Sequence, residues 1–226
     1  MMNASLSKLI VFAILVVAPA YALAIDKSWK AVSDFDGIIV YEKDNLKSDL
    51  VALRAEAIID AKINKVCTVL ADHSRKKEWM PRLKSIIPIK VISPYERFEY
   101  SESNIPWPFT DREFLTYITG DVTRDKKKQL KTVFIKLRSV EETQLPKNLT
   151  NSVPKTKNVR AQLHYSHINL EKVDENSTKL TIEFVTDPRG AIPTWIVNIV
   201  QRDWPRNLIL ALKKQVKRDD VVSTYY

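Results

Sequence analysis

One cysteine, three histidines and three glycines occur in 226 residues, and each scarcity removes a class of chemistry. The single thiol, Cys67, can form no internal disulfide, so an exported chain of this kind must be stabilised by its core alone. It lies in "INKVCTVLAD", where Ile63, Val66, Cys67 and Leu70 fall at helical spacing, which predicts a small buried hydrophobe on a helix. Glycines at 37, 120 and 190 are too few and too scattered for a phosphate-cradling loop or a nucleophile elbow. Of His73, His164 and His167, the last two share one predicted strand at an odd separation, which sends them to opposite faces and away from a common metal. Glu56, Glu99, Glu183 and Asp187 remain as acids or bases, and on strands such groups are normally solvated or paired with arginine. Neither a metal site, a cofactor nor a catalytic set is expected.

Long apolar runs are missing too, apart from Leu9 to Val17. That run is too short to span a bilayer. Lys8 is the only charge before it, and small residues stand at Ala22 and Ala24, so residues 1–24 read as a secretory signal cleaved after Ala24. No cysteine lies near the cut to carry a lipid anchor. The remainder, residues 25–226, fits one domain with a large core, secreted or periplasmic.

Positive charge is in excess: 36 Lys and Arg against 27 Asp and Glu give +9, which becomes +8 when Lys8 leaves with the signal. Export argues against nucleic acid as the partner and leaves an anionic membrane surface. The candidate docking set is Lys213, Lys214, Lys217 and Arg218, with an ordinary solvated face as the alternative.

Period-two alternation dominates the chain. It runs through 37–44, 51–60, 83–92, 95–105, 112–122, 130–140, 159–173 and 178–187; Val133, Ile135 and Leu137 oppose Lys136 and Arg138, and Leu180, Ile182 and Phe184 oppose Thr181 and Glu183. Helical spacing appears over 61–72 and over a closing segment, 192–218, whose inner candidates include Trp195, Ile196, Ile199, Leu208 and Leu212. Pro205 interrupts that segment and predicts a weakened turn between Gln201 and Trp204. The order predicts an α+β fold: a strongly curved antiparallel sheet that must wrap something, followed by a long C-terminal helix. In "NIPWPFTDREF" the prolines at 106 and 108 exclude a paired strand and make a stiff loop that holds Trp107 and Phe109.

Five pieces in order carry a resemblance from Trp29 to Arg218: "GIIVY" at Gly37, "DHSRKKEWMP" at Asp72, "PWPFTDREF" at Pro106, "DPRGAIPTWIVN" at Asp187, and the closing amphipathic helix. Together they resemble the START domain family, the lipid-binding helix-grip fold, and its secreted bacterial members most closely. The resemblance implies one apolar tunnel for a single lipid or sterol-like molecule, admitted by loops beside the terminal helix. It implies a monomeric, noncatalytic carrier or sensor in the cell envelope with no cofactor. Trp107 and Phe109 would close the mouth or dip into a membrane interface, with plain packing as the alternative. Glu99, Arg112, Ile118, Ile135, Phe184, Trp195, Ile196 and Ile199 would line the interior. Sterol-binding relatives place a buried arginine where this chain has Ile118, so a more apolar cavity is expected, with Arg112 and Glu99 free to pair. Two other functions compete: a cyclase or hydrolase using the same pocket, and an envelope interaction protein whose pocket is vestigial.

Overall fold

Alternating residues need two different environments, and the chain supplies them by folding one long sheet around its helices. The computed structural model describes residues 28–44 and 50–223; the leader and its cleavage point after Ala24 lie outside them. The strands are β1 (Lys30–Phe35), β2 (Ile38–Asp44), β3 (Val51–Ile59), β4 (Leu83–Ser93), β5 (Glu96–Ser103), β6 (Arg112–Arg124), β7 (Leu130–Ser139), β8 (Val159–Arg160), β9 (Gln162–Lys172) and β10 (Thr178–Asp187). Helices α1 (Ile63–Ala71) and α2 (Lys76–Trp79) follow β3, and α3 (Thr194–Gln215) follows β10.

The sheet order is β1-β2-β3-β10-β9-β7-β6-β5-β4, antiparallel throughout this path, with β8 joining β6 in parallel. Asp36 and Gly37 both take left-handed φ, 55° and 67°, which forms the tight two-residue turn between β1 and β2. Both edges are blunted against further pairing: β1 is short and bulged, and β4 carries Pro88 and three register shifts.

One face of the sheet is the core. Leu53, Ala55, Ala57 and Ile59 of β3, Leu180, Ile182 and Phe184 of β10, and Val66, Cys67 and Val69 of α1 close on Leu208, Ile209, Leu212 and Val216 at the end of α3. The helix continues unbroken through Pro205, which is buried, while the Gln201 amide donates to the Thr186 carbonyl at 3.2 Å. Its first half differs from the expected inner stripe, since Trp195 is 67% exposed. Among the described residues no helix is long and apolar enough to cross a membrane.

The opposite face carries a second, smaller core that periodicity alone did not reveal. Tyr100, Leu115 and Val140 are buried there under Leu145 and Val153. These last two belong to the proline-interrupted stretch read as a polar loop, which contains 3₁₀ turns at Glu142–Gln144 and Lys147–Ser152. Glu113 fastens this cover: it accepts from Tyr100 Oη at 2.8 Å and from Arg160 Nε at 2.8 Å, and it also accepts from Thr156.

Candidate functional site

Residue parity on β5 and β6 decides what faces the interior. Tyr100 opposes Leu115 and Phe98 opposes Tyr117 on the outer face, so Arg97, Glu99, Thr116 and Ile118 point inward, with Arg97 paired to Ile118 and Glu99 to Thr116. A small cavity of about 60 Å³ lies between this face and α1. Its walls are Ile118 and Val122 of β6, Val133 and Ile135 of β7, and Cys67 and Leu70 of α1; Pro94, Tyr95 and Gly120 stand at the β4–β5 turn, and Arg97 is its one charged wall residue. Burial pushes the Cys67 thiol up to about 12, so at neutral pH it is a protonated wall atom that reacts slowly, unlike a catalytic thiolate.

Arg97 supplies a cation that position 118 does not. The position examined in sequence was 118, on β6; the cation comes from its register partner on β5. Arg97 Nε donates to Glu99 Oε2 at 3.1 Å, and His73 Nε2 lies 2.6 Å from the same oxygen. Lys76 of α2 is also buried beside them. Burial lowers its pKa, Glu99 pulls it back up, and Arg97 lowers it further. For Glu99, burial favours the neutral acid, but the His73 hydrogen bond and the charges of Lys76 and Arg97 outweigh it and hold the carboxyl at about 2. The result is an ionised polar cluster within the inner wall.

The expected Glu99–Arg112 pair is not made. Arg112 is 3% exposed and spends its guanidinium on backbone carbonyls: Nε to Pro188 at 2.7 Å, Nη2 to Arg189 at 2.8 Å, and Nη1 to Thr110. Four positions along β6 separate the two groups, since Glu99 opposes Thr116 while Arg112 opposes Ser103. Arg112 therefore ties the β5–β6 loop to the β10–α3 loop. Gly190, at φ 75°, permits the approach: a Cβ there would stand 3.3 Å from Arg112 Nη2.

Of the residues proposed for the cavity, Ile118 and Ile135 line it. Glu99 stands behind Arg97. Phe184 is buried edge-on against Trp204, with ring centroids 5.2 Å apart. Trp107 is 92% exposed at the loop tip, Phe109 and Ile196 are half-buried, and the Ile199 side chain lies outside the described set. The aromatic loop and the first turn of α3 thus form a rim separate from the walls of this cavity. The basic set at the far end of α3 is partly engaged. Lys213 donates to the Asp36 carbonyl at 3.3 Å and Arg218 is held by Asp220 at 2.8 Å, while Lys214 and Lys217 are exposed. His164 and His167 make no common site; among the described residues no group of three or more His, Cys, Asp or Glu could hold a metal ion.

Sequence reasoning missed Arg97, His73, Lys76, Tyr95 and Gly120. A signal existed for the first: in "ERFEYS" charged residues alternate with aromatics, and burying the aromatics under the 142–153 segment leaves Arg97 and Glu99 facing in.

Comparison with known proteins agrees with this architecture. An uncharacterised protein of Pseudomonas aeruginosa is 24% identical over 195 residues, covering 86% of this chain and 90% of the relative. The bovine phosphatidylcholine transfer protein is 22% identical over 191 residues, covering 84% and 83%. Among solved structures, a STAR-related lipid transfer protein fragment from Xanthomonas axonopodis superposes with a TM-score of 0.69 at 22% identity, covering 84% of this chain and 99% of that one. Human StAR-related lipid transfer protein 5 gives 0.71 at 20% identity, covering 86% and 89%. These likenesses establish the helix-grip fold, and the START domain profile matches residues 20–208. With most of its length under that profile, the chain belongs to the START domain family.

Proposed function

We propose that the protein binds and carries a single lipid-like molecule in the cell envelope without altering it chemically. The observation that carries this reading is the inner wall: apolar side chains of α1, β6 and β7 around one cation, Arg97. Glu99 takes only the Nε of Arg97, and among the described residues its other N–H groups are left for a hydroxyl or anionic head. Apolar surface leaving water contributes roughly 25 cal/mol per Å², which offsets extraction from a bilayer. The names of the bovine and Xanthomonas relatives, both lipid transfer proteins, support the ligand class. Lipid-sized sites measure about 300–1,000 Å³. A cavity of about 60 Å³ is far below that, so loading separates the walls.

A hydrolase or cyclase would need polar groups converging on the ligand. His73 and Glu99 form a close pair, but neither lines the cavity, and their contacts are with each other, Arg97 and Lys76. Native mass spectrometry of protein from its own host is the direct test. An unmodified apolar passenger at one per chain is expected; protein that is empty, or that carries a processed product, would overturn the carrier reading.

Contact with the membrane is assigned to the aromatic rim. Trp107 and Trp195 are its most exposed rings, and amphipathic rings favour the headgroup region. Trp107→Ala should slow vesicle-stimulated ligand exchange while shifting stability by no more than about 0.5 kcal/mol, as for other exposed positions. A large fall in melting temperature would show that the ring is a packing residue.

A further inference from the structure

We propose that the cavity has its own mouth at the β4–β5 turn, with the Tyr95 ring as its door and Gly120 as its sill, through which the apolar chain of a lipid passes. The choice of a lipid chain rests on the carrier reading; the mouth rests on geometry alone. Pro94, Tyr95 and Gly120 belong to the cavity wall, together with Leu70 and Ala71 at the end of α1. Along β6, Gly120 is eight positions from Arg112, where the Trp107 loop ends. At about 3.3 Å per residue that places the mouth roughly 26 Å from the aromatic rim.

Gly120 is the second observation. Of the three glycines, Gly37 and Gly190 sit at positive φ, where a side chain would strain the backbone; Gly120 does not. It lies inside a strand, where glycine weakens pairing and commonly marks close approach of another group. The three atoms nearest a Cβ built there all belong to Tyr95, at 3.7–3.8 Å, an ordinary contact. Neither conformation nor crowding therefore requires glycine. A side chain at 120 would share the inward parity of Ile118 and Val122 and fill the entrance.

Tyr95 has the properties of a door. Its backbone is fixed: the carbonyl accepts from Gly120 N at 2.7 Å and the amide donates to Ser93 Oγ at 3.2 Å. The residue is 37% exposed, and its hydroxyl has no hydrogen-bond partner among the described residues. The ring can turn about its side-chain torsions without breaking the sheet.

Cys67 reads the mouth directly, because it is the only cysteine and lines the cavity while 7% exposed. The folded protein is treated with methyl methanethiosulfonate and the rate of single labelling is followed by mass. Tyr95→Ala should label several-fold faster than wild type, Gly120→Leu several-fold slower, and Trp107→Ala at the wild-type rate. Gly120→Ala, whose Cβ makes only ordinary contacts, provides a milder plug if the leucine variant fails to fold. Release of bound cis-parinaric acid, a fluorescent fatty acid, into vesicle-free buffer should follow the same order. Equal labelling rates in the Tyr95 and Gly120 variants would overturn the mouth, as would control of labelling by Trp107. Ordered labelling with no parinaric acid bound would leave the mouth standing and count against lipid carriage. Bound parinaric acid whose release ignores both positions would overturn the mouth as a lipid route alone.

Discussion

Glu99→Gln should lower stability by about 3 kcal/mol at pH 7, and the deficit should fade as the pH is brought down toward 2. Glutamine keeps the shape and can still accept a hydrogen bond from His73, so the change isolates the charge. The folded-state pKa of Glu99 lies near 2, below its ordinary 4.5. A carboxyl whose pKa is depressed on folding contributes stability that is complete above the unfolded value and is lost as pH falls through the folded one. The window is therefore from about pH 4.5 down to about pH 2, and the depression corresponds to about 3 kcal/mol. In the variant, Arg97 and the buried Lys76 lose their shared anion, and an uncompensated charge in the interior is expensive. For a domain of this size the melting temperature should fall by about 6–12 °C at neutral pH. Denaturant unfolding at pH 7, 4 and 3 decides the matter. A gap between wild type and variant that is the same at pH 3 as at pH 7 would mean that the carboxylate is not held by the cluster.

That cluster also shows where reading the sequence stopped. Strands β2, β3, β7 and β10 were legible because one face of each is the more buried and alternation largely survives. The terminal helix was legible in its second half, where Leu208, Ile209, Leu212 and Val216 meet the core, and not in its first, where Trp195 faces solvent. Strand β1 was missed because five of its six residues are exposed, which leaves no alternation to read. The 159–173 segment was read as one strand; it is two, since Val159 N donates to the carbonyl of Asp111, just before β6, and Ala161 N to that of Glu113 within β6, before β9 begins. Period-two alternation tells which residues share a face, not which face is inside. On β5 both faces are covered, one by the helices and one by the 142–153 segment, so burial alone does not tell its aromatic face from its charged one. Cross-strand register, which sets Arg97 beside Ile118, depends on turn geometry and bulges that pattern does not encode.

Replacing Arg112 by alanine should be at least as damaging as the Glu99 substitution, for a different reason. The guanidinium is buried with three carbonyl oxygens as its hydrogen-bond partners, those of Thr110, Pro188 and Arg189. Hydrogen bonds from a charged donor contribute about 1.5–3 kcal/mol each, and the carbonyls left behind retain their desolvation cost. A loss of about 3 kcal/mol or more is expected, with a melting temperature lower by at least about 6 °C. Lysine offers a single nitrogen and cannot span carbonyls on two loops with the geometry of a fork, so Arg112→Lys should recover only part of the loss. Stability alone would not separate a clamp from any buried side chain. The distinguishing readout is amide hydrogen exchange in residues 104–111 and 187–193. Because Arg112 is the link between these segments, exchange should quicken in both when it is removed, while the 142–153 cover, fastened separately through Glu113, keeps its protection. Faster exchange in one segment only would show that the two loops are anchored independently. Joint loosening would mean that Trp107 and Trp195, carried on the two tied segments, are positioned as one unit, and vesicle-stimulated exchange should then fall in Arg112→Ala by more than in Trp107→Ala alone.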